Sequence, residues 1–147
     1  MIEIFSQIFL RDLEKLKTEI TSYKNEETLW KISGEILNSA GNLCLHLCGN
    51  LQHFVGAVLG NSGYVRNRDA EFSRKDVSIV ELVTEIELTK NVLQISFEKL
   101  TEDDLKKSYP INAFGYEMTT EYLLTNIATH FTYHLGQINY HRRLLDN

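Results

Sequence analysis

His130 and His134 stand four residues apart in the segment THFTYHLGQI, and His46 lies far upstream in LHLCGN. On a helix, positions i and i+4 share a face with side chains about 6 Å apart, close enough to grip one metal ion. Neutral imidazole offers a nitrogen lone pair near neutral pH, which makes histidine the commonest protein ligand for zinc and similar metals. Three imidazoles leave at least one coordination position open, the pattern of a catalytic rather than a structural site. A thiol taken up there would ionise and attack an electrophile, giving a transferase. Water taken up there would acidify, giving metal-assisted hydrolysis. The zincin metalloprotease motif is absent, because the position after the first histidine of the pair is Phe131 rather than the required glutamate. Cys44 and Cys48 are also four apart, so a Cys₂His₂ zinc site with His130 and His134 competes with the three-histidine set. The cysteines project about 160–200° away from His46 on the helical wheel, so the two sites exclude each other. Both thiols extend the Leu43/Leu47/Leu51 stripe and read as buried core.

The elements that must position these residues are helices. Residues 2–24 carry Phe9, Leu13, Leu16, Ile20 and Tyr23 at spacings of three and four, an amphipathic helix. Residues 25–38 read as a polar connection in which Trp30 and Ile32 dip into the core and Gly34 turns the chain. A second helix runs from about Ser39 to Leu59, and Gly60-Asn61-Ser62-Gly63 ends it. YVRNRDAEF, 64–72, has no consistent period and reads as loop. A third helix runs from Ser73 or Asp76 to Leu100, burying Ile79, Val83, Ile86, Leu93 and Phe97. Residues 101–118 hold the only proline, Pro110, and read as irregular, with a short extended pair around Tyr109 and Tyr116. The fourth helix spans about Thr119 to Asp146, capped by Thr119 or Thr120. Four long helices in residues 1–147 predict an all-α four-helix bundle in a single domain, with connections too long to fix its topology.

Helical faces sharpen the candidate site. On the fourth helix the aliphatic stripe is Leu124, Ile127, Phe131, Leu135, Ile138 and Leu145. His130, His134 and His141 fall at its edge, and Tyr122, Tyr133 and Tyr140 form a further row. That row suits internal packing, or alternatively a dimer or partner surface. On the second helix the stripe is Leu43, Leu47, Leu51, Phe54 and Val58, with Asn42, His46, Asn50 and His53 beside it. Were the two helices antiparallel with His46 level with the pair, His53 and His141 would lie roughly 24 Å apart. A parallel arrangement would instead let them form a second polar site. The antiparallel arrangement is favoured, with both outside the primary site. Asn50 and Gln137 are placed to orient a ligand or a bound imidazole. Arg66 and Arg68 are candidates for binding the carboxylate of a thiol cofactor or substrate, since guanidinium forks match carboxylates.

A net charge of −5 argues against a nucleic-acid partner, which needs a basic face. No stretch is apolar enough to cross a bilayer. Glu3 interrupts the greasy first ten residues and no basic run precedes them, so a secretory leader is not expected. Two cysteines on one helix are awkward to bridge and suit reduced thiols in a cytoplasm.

The segments LHLCGNLQHFVGAVLG, RNRDAEF and THFTYHLGQI, in that order and spanning nearly the whole chain, resemble the DinB-like metal-dependent enzymes. The resemblance is closest to an uncharacterised branch of that superfamily. It implies a DinB/YfiT-like four-helix bundle with up-down-down-up topology, commonly a homodimer. It also implies a divalent metal, zinc or nickel foremost, held by His46, His130 and His134. Distant relatives of known activity are transferases and isomerases that use low-molecular-weight thiols such as bacillithiol or mycothiol. The expectation is therefore a cytoplasmic, metal-dependent S-transferase acting on a small molecule; a non-catalytic metal-binding bundle working through dimer or partner contacts is the alternative.

Overall fold

A computed structural model describes residues 1–147 and is all-helical, without a strand. Six α-helices follow in order: α1 (Ile2–Thr21), α2 (Ala40–Leu51), α3 (Arg68–Ser73), α4 (Ile79–Lys99), α5 (Glu102–Lys106) and α6 (Thr120–Leu145). A 3-10 turn covers Glu26–Trp30, and α2 passes directly into a π-helix over Gln52–Leu59. No helix is long and apolar enough to cross a membrane.

The helix starts follow from local chemistry. Ser39, Asn67, Ser78, Thr101 and Thr119 each accept a hydrogen bond from a backbone N–H of the first turn, satisfying one of the donors a helix start leaves open. At Ser78 the partner Glu81 reaches back to close a capping box. The apolar stripes then merge into one core, where Phe9, Leu13, Leu47, Leu51, Leu82, Leu93 and Phe131 are almost wholly enclosed.

Side-chain pairs give the directions of the long helices. Lys17 meets Glu87 at 2.7 Å, whereas Glu14, earlier in α1, meets Lys90, later in α4; α1 and α4 are antiparallel. Thr132 reaches Asp12 and Arg142 reaches Glu19, so α1 and α6 are parallel. Gln52 bonds Glu85 and Thr89, and Gly60 backs onto Ser96, so α2 and α4 are parallel. Leu43 shares a pocket wall with His141 and Phe54 shares one with Ile127, so α2 and α6 are antiparallel. Each of α1 and α2 packs against both α4 and α6.

Several sequence expectations need correction. The 64–72 stretch runs into a helix, α3 (Arg68–Ser73), which a period analysis misses because it is shorter than two turns. Residues 101–118 contain α5, and the extended pair reduces to one antiparallel bridge, Ser108 to Thr119. Trp30 packs on the core as expected, its ring filling the space a side chain would need at Gly41. Ile32 does not, and is 58 % exposed. Beyond Leu51 the wide π turns rotate the buried stripe. Val55 becomes fully buried, while Val58, expected in the core, is half-buried. Wide turns of this kind are frequent at functional sites.

Candidate metal centre

The antiparallel meeting of α2 and α6 sets His46 level with His130 and His134. Every residue of α2 is buried, so His46 is presented inside the protein, with only 6 % of its surface exposed. His130 and His134 are half-buried. The ring centroids lie 5.0 Å (His46–His130), 5.4 Å (His46–His134) and 4.5 Å (His130–His134) apart. One nitrogen from each ring falls within 4.8 Å of the others. Nε2 of His46 and Nε2 of His130 are 3.1 Å apart, close to the ~3.3 Å that two bonds of 2.0–2.1 Å subtend at a tetrahedral zinc.

Hydrogen bonds set which nitrogens are free. The Nδ1–H of His46 donates to Glu71 Oε1 at 3.0 Å, leaving Nε2 as a bare lone pair facing His130. The Nδ1–H of His134 donates to Gln137 Oε1 at 2.6 Å, which frees its Nε2 likewise. His130 has a buried Nδ1 with no partner. Its ring sits among lone pairs with one nitrogen unpaired whichever tautomer it adopts. Two rings locked in the ligating tautomer, with Nε2 of His130 3.1 Å from that of His46, suit a divalent cation.

Glu71 is the pivot of this support. It rises from α3, is 5 % exposed, and accepts a two-point fork from Arg66, Nε to Oε2 and Nη2 to Oε1, both at 2.9 Å. Its approach requires Gly49. A Cβ at that position would overlap the Glu71 carboxylate. Burial pushes the Glu71 carboxyl upward, but the hydrogen bonds from His46 and Arg66 outweigh it and leave the group lowered, hence ionised. Burial, reinforced by the neighbouring His134, His46 and Arg66, pushes His130 down to about 4. Burial also lowers His134, against the pull of Gln137. Both rings are neutral near pH 7, the form that ligates.

A cavity of about 870 Å³ opens beside His46 and His130, within the range of small-molecule sites. Asn50, Arg66 and Arg68 all line it, with aromatic walls from Phe54, Phe114 and Tyr133. Arg66 already holds Glu71. Arg68 makes no ion pair and lies over the Phe72 ring at 5.1 Å, and Phe72 in turn packs on His46 at 4.9 Å. Gln137 sits against His134, as its spacing implied. Asn50 Oδ1 is buried without a partner.

Glu71 was missed by sequence reasoning. It stands 25 residues from His46 in a stretch read as loop, and nothing in that spacing links them. The one signal was an acid within RNRDAEF close to an arginine. The other two histidines stand apart from the cluster. His53 lies on the π-helix beside Phe54. His141 is a structural tie: its Nε2–H donates to the Lys31 carbonyl and its Nδ1 accepts from the Tyr23 hydroxyl, each at 2.8 Å. The cysteines are free, buried and outside the histidine group. A hydrogen bond to Cys48, together with burial, raises the Cys44 thiol well above its usual range, which suits inert core rather than a metal ligand.

Helices and cluster together define an all-helical protein with a three-histidine group able to accept a metal. Residues 5–147 match the family described as "Protein of unknown function (DUF1572)", and the chain belongs to that family. No curated protein matches it.

Proposed function

We propose that the chain is a DinB-like, up-down-down-up four-helix bundle that holds one divalent metal, zinc or nickel, on His46, His130 and His134. In this reading it promotes transfer of a low-molecular-weight thiol to a small-molecule electrophile. The helix directions support the topology. The observation that carries the function is the convergence of the three imidazoles beside a cavity of small-molecule size.

A divalent ion held there supplies Lewis acidity that lowers the pKa of a thiol or water beside it. The chain's own residues do the rest. Glu71 and Gln137 hold two imidazoles in the ligating tautomer, and Arg66 keeps Glu71 ionised and in place. Phe54 and Phe114 supply apolar surface to the cavity wall. The sulfur forms its bond to the electrophilic carbon as the leaving group departs with its electron pair, and the thiol proton passes to solvent.

The test is to mix metal-loaded and metal-stripped protein with a panel of thiols and a chromogenic aryl halide. Conjugation should run about a hundredfold faster with metal, the order that ~2.7 kcal/mol of charge stabilisation gives. Equal rates, with no metal-dependent thiol binding, would discard the catalytic reading.

One observation favours a second reading, a non-catalytic bundle that works as a homodimer. Tyr133 and Tyr140 are 66 % and 63 % exposed, so the tyrosine row is not internal packing. Alanine at both should convert a dimer to a monomer in sedimentation measurements. A mass unchanged from that of the parent protein would remove this support.

A further inference from the structure

We infer that the cavity beside the histidines selects a small organic anion, with Arg68 as the pairing cation and Asn50 as the hydrogen-bonding partner. The inference rests on reading the histidine cluster as the reacting centre, since that is what gives the cavity its role.

Three observations carry it. First, the cavity wall holds two arginines and no aspartate or glutamate, although the chain as a whole carries −5. A cleft lined by one sign of charge concentrates ligands of the opposite sign. Second, the arginines differ. Arg66 is neutralised by its fork on Glu71, whereas Arg68 meets no carboxylate and its guanidinium rests on Phe72. That stacking presents a planar, pre-oriented fork on the same ring that packs against His46. Third, Asn50 is 8 % exposed, lines the cavity, and its Oδ1 has no partner within the chain. An enclosed amide left unmatched is costly unless a ligand completes it.

The remaining wall is mostly aromatic and aliphatic: Phe54, Phe114, Tyr116, Ile127 and Tyr133. The matching ligand has a carboxylate or similar monoanionic group for Arg68, a polar group for the Asn50 amide, and an apolar or aromatic body. Cationic ligands are disfavoured by Arg68 and by any metal on the histidines.

The experiment is calorimetric titration of zinc-loaded protein with benzoate, phenylacetate and hippurate, each paired with its uncharged primary amide. At least one acid should bind about tenfold more tightly than its amide. Arg68→Gln should weaken the acid about tenfold while leaving the amide unchanged, the scale of one charge-assisted pair. Asn50→Leu should weaken both. Arg68 is exposed, so its replacement leaves the core intact and remains decisive even where Asn50→Leu fails to fold. Amides binding as well as acids, or acid affinity indifferent to Arg68, would overturn the inference. Elemental analysis of the same samples separates the two readings. Bound zinc without anion preference sinks this inference alone, and anion preference without bound zinc sinks the metal reading and leaves the anion site standing.

Discussion

Replacing His130 with alanine is expected to lower bound divalent metal from about one ion per chain to background, measured by elemental analysis after gel filtration. Apparent binding energies of ~10–16 kcal/mol for zinc sites, spread over four ligands, put the loss of one imidazole near 3 kcal/mol, or ~100-fold in affinity. The fold should survive. His130 is half-buried, and its removal also deletes the unmatched Nδ1. Thermal unfolding supplies the second readout. At a zinc concentration about a hundred times its dissociation constant, the parent protein should gain about 2.7 kcal/mol of stability, and the variant almost none. His53→Ala serves as the control, since that ring lies outside the cluster. Retention of stoichiometric metal by His130→Ala would show that the three rings do not form the site.

Gly49→Ala should destabilise the protein by about 3 kcal/mol in urea titration, although the same change inside a helix ordinarily stabilises by about 1 kcal/mol. The reversal of sign comes from Glu71. A methyl group at position 49 occupies the space of its carboxylate. The carboxylate can only move by giving up Arg66 and His46, and breaking one partner from a buried pair costs about 3–5 kcal/mol. Metal affinity should fall with it, by about 10–100-fold, as for other losses of an imidazole's hydrogen-bond partner. A double-mutant cycle isolates the cause. In a Glu71→Ala background the penalty should vanish and the ordinary helix preference return. An additive cycle, with Gly49→Ala equally harmful in both backgrounds, would refute the proposed clash.

The helices and the histidine cluster were legible because periodicity survives on long elements. The apolar stripes gave α1, α4 and α6 to within a few residues at most boundaries, and the i, i+4 pair needed only a helix to be placed. The antiparallel meeting of α2 and α6 was favoured but not derivable, since long connections leave direction open. What escaped was short or long-range. Helices shorter than two turns, such as α3, lack the length to show a period, and α3 carries the residue that orients His46. The π-helix escaped because its widened turns obey neither standard period, so Val55 and Val58 exchanged roles. The exposure of the tyrosine row could not be read from α6 itself, because it depends on which neighbours pack where.

The segment that joins α1 to α2 is fastened by residues of α6 and just beyond. Tyr23 and the Lys31 carbonyl are held by His141, and the backbone N–H groups of Lys24 and Asn25 donate to Asp146. Helices α1 and α2 are also each packed on α4 and α6 rather than mainly on one another. While the polypeptide emerges from the ribosome, its first two helices therefore have no completed surface to settle against. During synthesis α1 and α2 can settle against α4, but the fold closes only once α6 has been made, so part of their apolar stripes stays uncovered until then.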